Sequence, residues 1–170
     1  MDLNAKLRDI PDFPKPGIIF KDITPILADA DAFREAIDKV VEGFTRNNID
    51  AIVGVEARGF IFAAAAAYKL NCGLLIVRKP GKLPAETVSE TYSLEYGTDT
   101  IEIHKDAIRP GMKLLLLDDL LATGGTIAAC ARLVEGLGGK IMGIRFLVEL
   151  GFLDGRKKLG QYDVDAVIRL

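Results

Sequence analysis

One run of thirteen residues limits what this chain can fold into more than any other: Leu114-Leu115-Leu116-Leu117-Asp118-Asp119-Leu120-Leu121-Ala122-Thr123-Gly124-Gly125-Thr126. Four consecutive leucines carry no polar alternation, so they predict a strand buried on both faces, as in a parallel α/β sheet. Two carboxylates follow where such a strand would emerge from its core. A turn of small residues comes next, and an apolar-periodic segment starts at Ile127. In open α/β sheets ligands bind outside the carboxyl ends of the strands, so a site is expected here.

The residue types suggest what that site can hold. A turn without bulky side chains lets backbone N–H groups converge on an anion, and the dipole of the following helix adds partial positive charge. Thr123 and Thr126 add hydroxyl donors, which suits a phosphate monoester. Asp118 and Asp119 would repel that phosphate at close range. They are better placed a few ångströms away, accepting hydrogen bonds from vicinal hydroxyls such as those of a ribose. Acids for hydroxyls beside a nest for phosphate make a ribose-5-phosphate cradle.

Composition narrows the alternatives. A length of 170 residues suits a single domain, and 49% hydrophobic with 27% charged residues describes a globular chain able to fill a core. The net charge of −2 gives no general attraction to nucleic acid or to a membrane surface. The apolar run at 60–68 is too short to span a bilayer, and no basic segment followed by an apolar stretch opens the chain as a secretory signal would. Cys72, Cys130 and the single His104 lack the number and spacing of a zinc site. A cytoplasmic protein with reduced thiols is expected.

In chain order, residues 1–12 read as a short helix or arm. The prolines at 14 and 16 then exclude a helix interior or central strand, so residues 13–23 should form a flap or hood containing a short extended segment. Phe33, Ile37, Val40, Val41 and Phe44 form one apolar stripe and predict a helix over 31–46 with Asp31 as N-cap. Residues 51–55 predict a second buried strand, and 60–70 a helix packed on several sides because its surface is apolar nearly all round. Residues 74–77 predict a third buried strand. From 81 to 100 the pattern is polar, with no run long enough for a core element, and a connection of that length is read as a mobile functional loop. Strict alternation over 100–105 puts Ile101 and Ile103 inward and His104 outward. A helix from Ile127 ends at Gly138-Gly139. A strand over 141–148, a basic turn at 155–160 and a terminal strand over 164–170 complete the chain.

Cations follow two of these strands. Arg58, beside Gly59 at the end of the 51–55 strand, is placed to meet an anion, although alone it would better suit a surface ion pair with Glu56. Arg78, Lys79 and Lys82 cluster after the 74–77 strand, enough positive charge for a polyanion such as pyrophosphate.

The Asp118–Thr126 wording resembles the 5-phosphoribosyl-1-pyrophosphate (PRPP) signature of type I phosphoribosyltransferases, and is most similar to the adenine-specific branch of that family. The similarity runs from Phe13-Pro14 to Leu150. It implies an α/β fold with a central, mainly parallel sheet flanked by helices, a small hood and a long flexible loop. It further implies that Asp118 and Asp119 hold the ribose hydroxyls, and that Ala122, Thr123, Gly124, Gly125 and Thr126 form the 5′-phosphate loop. Glu56-Ala57-Arg58-Gly59 resembles the pyrophosphate loop, with Arg58 contacting the leaving group. Arg78, Lys79 and Lys82 would reach pyrophosphate across a homodimer interface. Ser93-Leu94-Glu95-Tyr96-Gly97 resembles the catalytic loop, with Glu95 transferring a proton on the purine and Tyr96 closing the site. Main-chain groups near Ile19 and Lys21, together with Leu150, would read the adenine. Lys21 departs from the arginine of some members, which main-chain recognition tolerates.

The implied reaction joins adenine to PRPP, giving AMP and pyrophosphate, with Mg²⁺ held mainly by PRPP oxygens rather than by protein ligands. Two alternatives carry the same signature. A phosphoribosyltransferase for another base is one; the 6-oxopurine enzymes place an aspartate where this chain has Ala122. A non-catalytic PRPP-binding regulator is the other, but it would normally add a DNA-binding segment, and residues before Phe13 are too few for one.

Overall fold

The leucine run is the centre of a five-stranded parallel sheet. The computed structural model describes residues 1–94 and 96–170. They pack as two compact units, Met1–Lys39 and Val40–Leu170.

In the N-terminal unit, a 3₁₀ turn at Asn4–Lys6 leads to a hairpin of β1 (Arg8–Pro11) and β2 (Ile19–Asp22). Phe13 and Phe20 meet edge to face inside it, with ring centroids 5.2 Å apart. Asp22 ends β2 and starts α1 (Thr24–Ala28). Its carboxylate accepts hydrogen bonds from the Thr24 N–H and hydroxyl and from Arg8. The Thr24 backbone bond, followed by the Arg8 guanidinium, lowers its pKa to about 2. The helix predicted over 31–46 is shorter: α2 spans Ala30–Val40. Asp29, not Asp31, caps it, accepting the N–H groups of Asp31 and Ala32 at 3.0 Å each. Turns follow at 41–43, with Gly43 at a φ of +83°, so Phe44 leaves the helix. It packs under the Arg145 guanidinium, 4.9 Å from the ring centroid.

The C-terminal unit carries the sheet, in the order β4-β3-β7-β8-β9, every pair parallel. Its strands are β3 (Ala51–Val55), β4 (Gly73–Val77), β7 (Lys113–Leu121), β8 (Lys140–Glu149) and β9 (Val164–Arg169). Leu114 to Leu117 are fully buried, as expected of a central parallel strand. Leu114 and Leu116 pack with Ile127, Cys130 and Val134 of α4 (Gly125–Gly136). The intervening Leu115 and Leu117 point to the opposite face by alternation.

From β3 the chain passes through α3 (Gly59–Leu70) to β4 on one side; from β7 it passes through α4 to β8 on the other. The winding direction reverses between β3 and β7. Their outgoing loops therefore flank a crevice at the carboxyl ends of the strands, the topological switch point where α/β sheets bind ligands.

Three sequence expectations are corrected. Strand β4 is an edge strand rather than a buried one: only Val77 is buried, while Leu74 and Ile76 are exposed. Helix α3 is buried on one face only, through Phe62, Ala63, Ala66 and Ala67, whereas Ile61 and Tyr68 are exposed. The stretch read as a mobile loop without a core element over 81–100 holds β5 (Thr87–Ser93), which pairs antiparallel with β6 (Thr98–His104), the strand that the 100–105 alternation indicated. Val88, Tyr92, Ile101 and Ile103 of this hairpin pack into the core that contains α4. Among the described residues, no helix is long and apolar enough to cross a membrane.

Candidate active site

Loops leaving β3 and β7 meet at the switch point. The acid pair lies within β7, which continues to Leu121 rather than ending before Asp118. Asp119 is 6% exposed, and its carboxylate pairs with Arg58 Nε at 2.7 Å. Arg58 therefore pairs with Asp119 of β7 rather than with the glutamate two residues before it. Asp118 accepts the Asp119 N–H at 2.8 Å. Burial, and secondarily the Asp119 charge, push the Asp118 carboxyl well above the ordinary carboxylate range. Gly59 opens α3 directly over this acid: a Cβ there would fall 2.7 Å from Asp118 Oδ1.

Beyond Leu121 the small-residue turn encloses a cavity of about 80 Å³, lined by Asp118, by Leu120 to Thr126 and by Ile127. Gly124 caps α4 with φ +84°, a left-handed conformation that glycine adopts without steric cost. No side chain caps the helix, and its first N–H groups have no intrahelical acceptors, which leaves them to an anion in the cavity. The back of the turn is closed by Gly155, whose carbonyl oxygen would lie 2.5 Å from a Cβ on Gly124. That backing segment is fixed in turn. Arg156 donates to both oxygens of buried Glu149 at 2.6 and 2.7 Å and to the Val164 carbonyl at 2.6 Å. Leu150 donates its N–H to the Leu121 carbonyl at 2.9 Å, tying the segment after β8 to the end of β7.

The third cluster is at the end of β4. Glu56, whose peptide bond to Ala57 is cis, accepts the Lys79 N–H at 2.9 Å and Arg78 Nε at 3.2 Å. The Lys79 bond first, then the Arg78 guanidinium and the Lys82 charge, hold its carboxyl below the usual value. The Lys79 ammonium pairs with Asp99 of β6. Arg78 and Glu102 exchange backbone hydrogen bonds of 2.9 and 2.7 Å, docking the hairpin on the end of β4.

The switch point thus gathers Arg58, Asp118, Asp119 and the 122–126 turn, while the Arg78 guanidinium and the Lys79 N–H meet at Glu56. Tyr96, 88% exposed, lines a broad cavity of about 800 Å³ with Thr123, Leu153, Lys157 and Lys158. Glu95, the expected proton-transfer residue, lies outside the described residues. Ile19 and Lys21 lie in the N-terminal unit, on β2. Ile19 is 58% exposed opposite Pro11, and the Lys21 ammonium pairs with Asp9 at 2.6 Å. Sequence reasoning missed Gly155, Arg156, Tyr92 and Asp99. The glycine before a basic run was the only local signal for the first two. The β-formers Thr87, Val88, Thr91 and Tyr92 were the signal for the hairpin.

Residues 20–167 match the phosphoribosyl transferase domain family. The adenine phosphoribosyltransferase of Trichlorobacter lovleyi is 58% identical over 168 residues, covering 99% of this chain and 98% of the relative. Among solved structures, the adenine phosphoribosyltransferase of Thermoanaerobacter pseudethanolicus superposes with a TM-score of 0.94 at 56% identity, over 99% of this chain and 98% of that one. The Saccharomyces cerevisiae enzyme, crystallised with adenine and an imino-altritol bisphosphate, gives a TM-score of 0.89 at 39% identity, over 98% and 96%. With Arg58, the acid pair and the small-residue turn at one switch point, and relatives matched along nearly their whole length, this chain belongs to the phosphoribosyltransferase family and, within it, to the adenine phosphoribosyltransferases.

Proposed function

We propose that the chain joins adenine to the ribose 5-phosphate of PRPP, releasing pyrophosphate and forming AMP, by the following division of labour. The observation that carries the reading is the continuous arrangement of Arg58, Asp118, Asp119 and the 122–126 turn around the carboxyl ends of β3 and β7. The turn takes the 5′-phosphate on the first N–H groups of α4, with the Thr123 and Thr126 hydroxyls beside them. Asp118 and Asp119 accept hydrogen bonds from the ribose hydroxyls. The bond from the anomeric carbon to pyrophosphate breaks as the bond to the adenine nitrogen forms, leaving positive charge on the sugar and added negative charge on the leaving group. Arg58, Arg78, Lys79 and Lys82 are the cations that meet the latter, and fixed charges at developing charge are worth most in a water-poor site. Glu95 takes the proton that adenine loses, and Tyr96 closes over the reactants.

Magnesium fits this site as a companion of the substrate. One or two carboxylates plus phosphate oxygens are the usual surroundings of Mg²⁺. When bound, the ion would neutralise part of the pyrophosphate charge.

Adenine recognition is assigned to the main chain at Ile19 and Lys21, with Leu150. The Lys21 side chain is engaged by Asp9, and Pro11 has no N–H to offer the Ile19 carbonyl opposite it. A homodimer is supported by the exposed apolar side chains Ile61 and Tyr68 of α3 and Leu74 and Ile76 of β4, the strand that leads to Arg78 and Lys79. The free thiols Cys72 and Cys130 suit a cytoplasmic setting.

The test is an assay of purified protein with Mg²⁺ and PRPP, offering each nucleobase separately. AMP from adenine, with at most trace product from hypoxanthine, guanine or orotate, is expected. Unpaired groups at purine position 6 can cost about 10⁴-fold when buried. Equal turnover of hypoxanthine would contradict the base assignment.

A further inference from the structure

Tyr92 has no part in the scheme above, yet it stands between the two anion-binding ends of the site. It lies in β5 and is 6% exposed. Its ring lies against the phosphate turn, where a Cβ on Gly125 would be 3.4 Å from Tyr92 Cδ2. The hydroxyl is 3.0 Å from the Thr126 hydroxyl and 3.3 Å from Asp99 Oδ2. Asp99 in turn holds the Lys79 ammonium and accepts the Thr100 N–H at 2.9 Å. An unbroken chain, Thr126–Tyr92–Asp99–Lys79, thus runs from the phosphate turn to a cation of the pyrophosphate side.

The phenol has one proton, which it gives either to Asp99 or to Thr126, and its oxygen also accepts from the Lys79 ammonium. With the Tyr92 proton on Asp99, Thr126 donates to Tyr92 and offers a ligand only lone pairs. When a phosphate oxygen accepts the Thr126 proton instead, the Thr126 oxygen becomes the acceptor for Tyr92, whose proton turns away from Asp99. Phosphate at one end therefore shifts one hydrogen bond along the chain, to the carboxylate that holds Lys79. We propose that Tyr92 is a positioning residue for PRPP, orienting Thr126 toward the 5′-phosphate and coupling that turn to Lys79 through Asp99. The inference rests on the PRPP-site reading above and adds to it a residue outside the signature.

Tyr92→Phe keeps the buried ring and removes only the hydroxyl, so the fold should survive, and circular dichroism with a thermal melt checks that it does. PRPP affinity, measured by titration calorimetry with Mg²⁺, should fall about 3–10-fold, the range of one lost hydrogen bond between uncharged groups. The kcat should stay within about twofold, and the KM for adenine should not move. Asp99→Asn should weaken PRPP binding similarly, and the double variant should be no worse than the weaker-binding single one, because both cut the same chain. A wild-type protein that does not bind PRPP overturns the site reading and this inference with it. Wild-type binding matched by a folded Tyr92→Phe variant, or effects that multiply in the double variant, overturn the inference alone.

Discussion

Asp118 shows how function is set against stability in a single residue. Its carboxyl is pushed up by burial and by Asp119, so the folded state holds the Asp118 proton more tightly than the unfolded chain does. The stability that comes from the protonated form is fully present below the ordinary value of 3.8 and is lost as pH rises through the raised folded value. Asp118→Asn has no proton to lose. It should melt higher than wild type at pH 7, by about 2–4 °C for each kcal/mol relieved, and the difference should close as the pH is lowered toward 4. Thermal melts across that range check this, and a variant that melts no higher at pH 7 than wild type would contradict it. The same substitution should depress turnover, since the carboxylate is assigned to the ribose. The sequence made the acid pair legible because two carboxylates after a leucine run have no structural use. It could not reveal the Arg58–Asp119 pair, which joins residues 61 positions apart, a spacing that carries no periodic signal.

Among the elements, the leucine strand and its helix were legible because burial on both faces suppresses alternation and because the small residues of the turn mark the helix start. The edge strand was not. Leu74-Leu75-Ile76-Val77 reads as buried because it is apolar throughout, yet nothing beyond β4 covers Leu74 and Ile76 in the single chain. Apolar composition reports that a surface is to be covered, without saying by which chain. Leu75 and Val77 pack toward the hairpin side, so Leu74 and Ile76 share the α3 side, where Ile61 and the 90%-exposed Tyr68 also lie. The expected consequence is self-association through this face. Ile76→Lys with Tyr68→Glu should convert a dimer to a monomer in sedimentation velocity and reduce turnover, because Arg78 and Lys79 follow Ile76 directly. A wild-type protein that sediments as a monomer would contradict it. Strand β6 was legible from the alternation of Ile101 and Ile103, but its partner β5 escaped notice for the opposite reason: Thr, Ser and Glu surround Val88 and Tyr92 and hide its apolar face.

For the whole molecule, the fold class followed from a few runs, since buried parallel strands separated by helical segments admit few arrangements. What sequence could not convey is how segments far apart converge on the 122–126 turn. Tyr92 reaches Thr126 from β5, and Gly155 closes the turn from a segment after β8. Both contacts depend on the sheet order and not on local pattern. The central claim is that this turn, so enclosed, holds the phosphate of a substrate consumed in adenine transfer. Gly124 is the residue through which to test it, because a side chain there would be strained at φ +84° and would meet the Gly155 carbonyl within 2.5 Å. The decisive measurement is the rate of AMP formation from adenine and PRPP by wild type and by Gly124→Val, with circular dichroism confirming that both are folded. Wild type should form AMP, and the variant should lose at least about 10²-fold in kcat/KM for PRPP, the loss a misplaced binding group can cause. A wild-type protein that forms no AMP, or a folded Gly124→Val variant that matches it, would contradict the account.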